Sequence, residues 1–508
     1  MQMEDVYKRG MSAKSMAILL VIARHEGYVV PYKENARDDT PVAKKKAKYT
    51  GAIVLDPKIG FYEIPVNVLD FQSLYPSMEI AENLCCTTYV PPHKLHLVPE
   101  DKRVRSPPEY TLDGTFLNDG HWFTTKDFKG GIIPRAQERL AARRAVFKAK
   151  MGAATDKLEV MRYNIAQNAM KLMMNSIYGF TGFEQATIFC QAVASATTAY
   201  GRMYHEKTCK FTESWCAERG LRCLIIYGDT DSLFVTIYME DLEENIRLFK
   251  ILAADVTAFI NRPPIKLLYE KSFLKLLMMG KKEYAGKKIE GGKISITISG
   301  SNAKKKSACK LLSETTMELL RMRVEKNSTV DECGTYLHNQ LQIAHSVNDT
   351  WDTEVLEKLK IRISLEKEKY AQENIATELA KLATERNPVA SEVGDIFYYV
   401  PVVNPKAKAK RNRVEEVDYL KKHCEPNKRR AIDETPLTAR ERDFLKRVDE
   451  KITIPESVLE ARTLLEDLKK KDNLMYPKYV IDTNEIITSQ FHTPILKFFP
   501  DENHFEKI

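Results

Sequence analysis

The sequence predicts an α+β fold, and three observations carry that prediction. β-type runs rich in Val, Ile, Leu and Tyr recur between residues 52 and 298, two long helical patterns interrupt them between 134 and 178, and the stretch from 307 to 508 is mostly charged and helical. At 508 residues the chain is long enough for roughly two to four compact units with cores of their own.

A helical pattern, SAKSMAILLVIARHEG, ends at Gly27, and a Lys-rich connector follows at 41–50. Two β-type runs come next, Ala52–Leu55 and Val66–Phe71, the second leading into a Ser/Pro turn; residues 101–130 read as polar and irregular. From Pro134 the pattern is PRAQERLAARRAVFKAKM, a break at Gly152-Ala153-Ala154-Thr155, then DKLEVMRYNIAQNAMKLMMNSIYG. Pro134 suits a first helical turn and Thr155 can cap the second helix, so the segment predicts an antiparallel helical hairpin. On its second helix Gln167, Lys171, Asn175 and Tyr178 share one face, while Ile165, Ala169, Leu172, Met173 and Ile177 read as the packed side. On the first, Arg135, Arg139 and Arg143 share a face, and Arg144 and Lys148 share another. A mixed segment then leads to a β-hairpin over 224–238, further strands are expected at Lys266–Tyr269 and Ile294–Ile298, and the charged remainder holds one β-type island, GDIFYYVPVV, at 394–403. No internal repeat or sustained heptad pattern is present.

Composition narrows the function class. The chain is 44% apolar and 9% aromatic, which fits a globular protein and not a disordered one. No run approaches the roughly 18 apolar residues of a membrane span, and MQMEDVYKRG lacks the apolar centre of a signal peptide. Nine cysteines form no CxxC pair and no Cys/His ladder, which argues against structural zinc and a disulfide framework and suits a reducing compartment. The net charge of +8 is modest, but basic residues cluster at Lys44-Lys45-Lys46-Ala47-Lys48, GKKEYAGKKIEGGK (280–293), NAKKKSACK (302–310) and PKAKAKRNR (405–413). One such cluster reads as solvated surface; four of them beside a candidate metal site point to a polyanionic partner such as nucleic acid.

That candidate site is Tyr227-Gly228-Asp229-Thr230-Asp231-Ser232, at the tip of the expected hairpin. If the backbone stays extended there, the i, i+2 spacing turns both carboxylates to one face, where like charges repel unless a cation or shared proton offsets them. A solvated turn is the other reading, since Asp is common in turns. Asp70, ending a buried-type strand, is either a turn starter or a second ligand; Asp70 and Asp231 on neighbouring strands suit two Mg²⁺ ions about 4 Å apart, the spacing of phosphoryl-transfer sites. The cationic helical hairpin beside them makes a plausible clamp for a triphosphate. Lys281-Lys282-Glu283-Tyr284 reads as a charged loop or as a lysine pair aimed at a backbone phosphate or base edge.

Four stretches occur in order: Asp70-Phe71-Gln72-Ser73-Leu74-Tyr75-Pro76-Ser77, Lys171 followed after three residues by Asn175-Ser176-Ile177-Tyr178-Gly179, the Asp229-Thr230-Asp231 hairpin, and Lys281-Lys282-Glu283-Tyr284. Together they resemble the polymerase motifs of family B DNA polymerases, especially the delta-like enzymes of eukaryotes and large DNA viruses. The resemblance is close over 50–290 and looser beyond 300, where GDIFYYV and IDTNEIITSQFHTPILKFF (481–499) look like thumb elements. It implies a right-hand polymerase: a pre-palm segment at 1–50, an antiparallel palm sheet at 51–131 and 180–300, two-helix fingers at 132–179, and a mostly helical thumb at 301–508 with a charged insertion near 404–470.

Carried over by position, Asp70 and Asp231 would bind two Mg²⁺ ions (Mn²⁺ as the alternative) with the Phe71 carbonyl as an added ligand, and Asp229 would assist. Lys171, Asn175, Arg144 and Lys148 would hold the incoming dNTP, with Arg143, one register step away, as the alternative to Arg144. Amides of Ser73 and Leu74 would meet the triphosphate, Tyr75 would pack under the sugar and Tyr178 against the nascent base pair. Gly179, Lys281, Lys282 and Tyr284 would contact primer–template DNA.

The implied activity is template-directed DNA synthesis in viral replication, in a host nucleus or a cytoplasmic virus factory, with a sliding clamp as a further partner and no membrane. The family's N-terminal and 3′–5′ exonuclease domains normally precede the first motif. Their expected absence suggests a fragment, half of a split enzyme paired with a separate exonuclease chain, or a naturally short form. ISGSNAKKKSACK keeps a basic element without the family's usual spacing, and the Cys module of cellular delta-type enzymes is missing, which points to a viral source. The rival readings are a non-catalytic polymerase-like DNA-binding subunit and a metal-dependent nuclease; a nuclease would not need the Asn175–Gly179 motif or an aromatic beneath a sugar.

Overall fold

The computed structural model describes residues 10–30, 49–111, 113–184, 186–300, 305–350, 352–366, 373–386, 391–403, 409, 411, 413–423 and 480–492. The basic run 44–48, most of the run 405–413, residues 424–470 of the expected insertion and residues 493–499 of the expected thumb element lie outside the described residues. Two compact units divide the chain, 1–282 with 287–297 and 283–286 with 298–508.

The first unit opens with α1 (Met11–His25), which stops at Gly27, whose φ of +74° is left-handed. A short strand β1 (Gly60–Tyr62) precedes β2 (Val66–Phe71). β2 is buried on both faces except at Asp70, and its buried Asn67 is satisfied by a helix and a strand, donating to Asn245 Oδ1 in the helix Leu242–Ile260 at 2.6 Å and accepting from the Ser272 hydroxyl on the neighbouring strand at 2.6 Å. Ala52–Leu55, expected as a strand, makes only a single bridge, Val54 with Asp229. Pro57, just beyond it, has no N–H to continue a ladder.

α2 (Leu74–Ala81) follows, and then five strands of two or three residues, β3 (Tyr89–Val90), β4 (Arg103–Arg105), β5 (Glu109–Tyr110), β6 (Phe116–Asn118) and β7 (Trp122–Thr124). These fall in and around the stretch expected to be irregular; strands so short carry no period to read.

The helical hairpin forms as α3 (Ile132–Ala153) and α4 (Lys157–Gly182). Asp156, not Thr155, caps α4, its carboxylate accepting from the Glu159 N–H at 3.4 Å. The packed side also differs from expectation. Ile177 is buried as expected and Ala169 and Met173 are half-buried, but Ile165 and Leu172 are 62% and 54% exposed, and Gln167 and Met174 are buried instead. α4 packs on both α3 and α1, around a core that includes Leu19, Ile22, Ile133, Leu140 and Met174. Two neighbours rotate the buried stripe away from the most apolar one.

α2 formed where a Ser/Pro turn was expected, and two long helices went unread in the sequence, α5 (Gln191–Glu218) and α6 (Leu242–Ile260). From Ala192 to Gly201 α5 is buried all round and, apart from Val193 and Tyr200, made of Ala, Ser, Thr and Gly, and small side chains give no apolar stripe to detect. Both helices join the core under the sheet with Leu69, Phe71, Leu233, Val235 and Phe249.

The hairpin appears as β8 (Cys223–Asp229) and β9 (Ser232–Ile237). The strand expected at 266–269 runs on into one long strand, β10 (Leu267–Gly280), with a register shift between Tyr269 and Lys271. β11 (Glu283–Glu290) and β12 (Lys293–Ser299) complete a seven-stranded sheet in the order β12-β11-β10-β2-β9-β8, with β1 on β10. β2 lies antiparallel between β9 and β10, so its end meets the hairpin tip.

The second unit holds α7 (Lys310–Val324), α8 (Val330–His345), α9 (Val347–Thr350) and α10 (Thr353–Leu359), then β13 (Ile361–Ser364) and α11 (Ile375–Arg386). The island at 394–403 becomes β14 (Ile396–Val403), followed by β15 (Val414–Glu416), α12 (Val417–His423), β16 (Val480–Ile481) and α13 (Thr483–Ile486). β14 is the centre of this unit's sheet, pairing with β13, β15 and β16.

Candidate active site

Asp70 stands opposite Ser232 on β9 and Leu268 on β10. The ladder continues one step further, where the Phe71 N–H donates to the Asp231 carbonyl at 2.8 Å. The hairpin closes through Thr230, a β-branched residue at φ +58°, with the Asp231 N–H donating to the Asp229 carbonyl at 2.6 Å. That three-residue γ-type turn is strained, and backbone strain is held only where surroundings impose it. Here the Thr230 N–H is anchored by the Ile53 carbonyl at 2.9 Å, and Gly228 packs so closely on buried His205 that a Cβ would lie 2.6 Å from its Nε2.

The turn separates the two acids that the i, i+2 spacing would have put on one face. Asp229 remains in the ladder opposite Ser232, with its carboxylate 3.1 Å from Lys282 Nζ. Asp231 instead lines a cleft of about 570 Å³ together with Asp70, Phe71 and Thr230. Burial, then the neighbouring Asp231 and Glu270, push the Asp70 carboxyl up to about 7; burial and Asp229 raise Asp231. The two acids are short of positive charge.

The far wall of the cleft has the opposite need. Arg144, Lys148, Lys171 and Asn175 line it from α3 and α4. Arg144 donates to the Ser73 hydroxyl at 3.1 Å and to Gln167 Oε1 at 3.3 Å, while Arg143 is exposed, so the structure places Arg144 and not Arg143 at the cleft. Burial and its neighbours Arg144 and Lys171 lower the Lys148 ammonium. Ser73 caps α2 in a left-handed conformation (φ +51°), and Leu74 opens the helix, so unpaired first-turn amides meet the same space. Tyr75 and Tyr178 form the floor with ring centroids 4.5 Å apart; burial lifts the Tyr75 phenol to about 12 and raises Tyr178.

The remaining expected residues are not part of the cleft lining. Gly179 is exposed on α4 with open space where a Cβ would be. Lys281 pairs with Asp56 at 2.6 Å. Lys282 turns the β10–β11 connection at φ +64°, with its N–H donating to the Tyr227 hydroxyl at 2.9 Å. Tyr284 lies half-buried on β11. Three residues were missed. Glu270 lines the cleft because the β10 register shifts beside it, which no local pattern announces. Tyr49 bonds to the Tyr178 side chain, and Arg202 reaches the Thr50 and Gly51 carbonyls at 2.8 and 2.6 Å.

Comparison with known proteins gives this arrangement a family. The model for DNA polymerase family B matches residues 1–430. The chain belongs to DNA polymerase family B. It is 35% identical over 281 residues to the DNA polymerase delta catalytic subunit of Arabidopsis thaliana, covering 55% of this chain and 24% of that one. It is 30% identical over 424 residues to the Dictyostelium discoideum delta catalytic subunit, covering 82% and 36%. The DNA polymerase catalytic subunit of Elephantid herpesvirus 1 is 28% identical over 459 residues, covering 82% and 42%. The chain thus spans between a quarter and about two-fifths of the length of these curated relatives. Its α+β fold is shared with the family B polymerase of the archaeon Pyrobaculum calidifontis, at a TM-score of 0.54 and 23% identity over 91% of this chain and 51% of that one.

The acids of this family B chain suit a divalent cation of one kind. Among the described residues no three His, Cys, Asp or Glu side chains form a cage. Two carboxylates whose protonation is favoured by burial and then by neighbouring carboxylates, lining the cleft, fit Mg²⁺, which takes one or two carboxylates and fills its other positions with water and phosphate oxygens. A site for zinc or calcium would need more protein ligands.

Proposed function

We propose that this chain catalyses template-directed addition of deoxynucleotides to a primer 3′-hydroxyl, with the large sheet as palm, α3 and α4 as fingers and the second unit as thumb. The observation that carries the proposal is the two-poled cleft, with Asp70 and Asp231 on one wall and Arg144, Lys148 and Lys171 on the other. A cation-bearing triphosphate is the ligand that satisfies both poles at once.

Asp70 and Asp231 would hold the divalent ions, which when bound supply a lowered pKa for the attacking hydroxyl and charge stabilisation for the pyrophosphate. The chain's own side chains perform the rest. Lys171, Lys148 and Arg144 neutralise and orient the phosphate oxygens, and Asn175 adds a neutral donor beside them. The free amides at the start of α2 give the triphosphate tail a further anchor. Tyr75, wedged against Tyr178 and backed by Gly201, offers a flat wall beneath the sugar. No protein group needs to act as general base, which fits a site made of carboxylates, cations and aromatics.

A primer-extension assay with each dNTP, with and without Mg²⁺ or Mn²⁺, tests the reading. Template-dependent, metal-dependent extension is expected; a chain that binds primer–template but never extends it would leave the DNA-binding subunit or the half of a split enzyme that needs its partner.

A further inference from the structure

Gln137 sits where the three helices that line the cleft meet. Its Nε2 donates to Glu79 Oε2 on α2 at 2.6 Å and to the Met174 carbonyl on α4 at 3.0 Å. Gln137 and Glu79 are both 0% exposed. α2 carries Tyr75, α3 carries Arg144 and Lys148, and α4 carries Lys171, Asn175 and Tyr178 on either side of Met174. One buried amide therefore ties together every helix that presents a side chain to the cleft.

Two atoms of the pair have no partner among the described residues, Glu79 Oε1 and Gln137 Oε1. If Glu79 were ionised, both would be acceptors without donors, and a charge would be buried with no Lys or Arg among the described residues acting on it. A carboxylic acid removes the conflict. Its O–H can donate to the amide oxygen while the amide N–H donates to the other carboxyl oxygen, which closes the pair. The titratable group that acts on Glu79 is the Cys85 thiol beyond the end of α2; Glu79 in turn raises the Tyr178 hydroxyl on α4, and α3 faces it with the Gln137 amide. Burial pushes the Glu79 carboxyl up to about 8, against the pull of the Gln137 hydrogen bond.

We propose that Glu79 is held as a neutral carboxylic acid that donates to Gln137 Oε1, and that this closed acid–amide pair is a positioning device spacing Tyr75 from Lys171 and Arg144. The kinetic part of this inference rests on the nucleotide-binding reading above; the protonation state does not. A folded chain that keeps the proton on Glu79 binds more protons than an unfolded one above the ordinary glutamate value of 4.5, so stability falls as pH rises from there to about 8.

Three measurements on the full chain decide it. Infrared difference spectra of wild type against E79Q at pH 7 should show a protonated carboxyl band assigned to Glu79, and the thermal midpoint of E79Q should fall less than that of wild type between pH 5 and pH 8. In primer extension, E79Q should keep the KM for dNTP within about twofold, because an amide can also close the pair. E79M and Q137L each orphan a buried polar group and should raise that KM about tenfold, while the double variant E79M/Q137L, with neither polar partner left, should recover most of the loss. An ionised Glu79 at pH 7, an E79Q as impaired as E79M, or a double variant worse than either single one would overturn the proposal. If E79M or Q137L does not fold, the spectra and E79Q still decide. If wild type extends no primer, the functional reading fails, and the spectra and melting curves decide the acid–amide pair alone.

Discussion

At the scale of single residues, the three acids of the hairpin region divide by what each side chain touches. Asp70 and Asp231 face the cleft and are raised by burial and by nearby carboxylates, whereas Asp229 already has Lys282 at 3.1 Å. Asp70→Asn or Asp231→Asn should therefore cut nucleotide incorporation at least about a hundredfold, since losing even a group that supports a metal ligand costs up to that much. Duplex affinity, if it comes from scattered cations, should stay within a few-fold. Asp229→Asn breaks a pair in which Lys282 is 63% exposed, and pairs so exposed contribute little, so only a few-fold loss is expected. Steady-state extension and gel-shift assays on the three variants check this; robust synthesis by Asp231→Asn would remove the metal-site reading. Tyr75→Ala should open space beneath the sugar and raise ribonucleotide relative to deoxyribonucleotide incorporation at least about tenfold, because the 2′-hydroxyl is what separates the two. An unchanged ratio of the two kcat/KM values would show that Tyr75 is not the wall.

At the scale of elements, the hairpin β8–β9 shows what the sequence made legible and what it hid. Runs of β-favouring residues on either side of a Gly-Asp-Thr-Asp tip announced two strands and a turn, and those formed. The direction of each carboxylate was hidden, because it depends on a left-handed Thr230 that the Ile53 carbonyl and the His205 ring impose from elsewhere in the chain. The same limit explains the helices. α1, α3 and α4 were visible through period and caps, but the buried face of α4 was set by packing against two neighbours, and α5, lined with small residues, had no stripe to read. Motif order located Asp70, Lys171 and Tyr178; Glu270 reaches the cleft only through a register shift in β10. These contacts predict a fold-level sensitivity at Gly228. Gly228→Ala would set a Cβ 2.6 Å from His205 Nε2 and 3.0 Å from Leu55 Cδ1, and overpacking of this kind costs about 1–3 kcal/mol. Thermal unfolding should show that loss, together with reduced extension as the Asp231 turn is displaced; a wild-type midpoint and rate would mean that His205 moves aside freely.

At the scale of the whole molecule, charge is allotted to two tasks. Cations of the first unit that line the cleft face carboxylates a few residues wide, a geometry for one small polyanion. The second unit has a separate hollow of about 710 Å³ lined by Lys306, Lys310, Lys358, Lys360, Arg362 and Lys421, with Lys360 4.6 Å above the Tyr398 ring. Some of these are already engaged, Lys360 with Glu357 at 2.5 Å and Lys310 with Glu314 at 3.6 Å, but no ion pair holds Lys306 or Arg362 among the described residues. If such cations meet backbone phosphates, each contact releases a counterion and adds to the salt dependence of duplex binding. Replacing Lys306 and Arg362 together by Ala should weaken primer–template binding without sequence preference and flatten the plot of log affinity against log salt by up to about two units of slope, with the KM for dNTP unchanged. Lys171→Ala should do the reverse. It should leave the salt slope nearly intact while lowering kcat and raising the KM for dNTP, as expected of a group that meets phosphate in the transition state as well as in the ground state. A Lys171→Ala enzyme with wild-type constants and a diminished salt slope would place Lys171 on the duplex and leave the triphosphate to Arg144 and Lys148 alone.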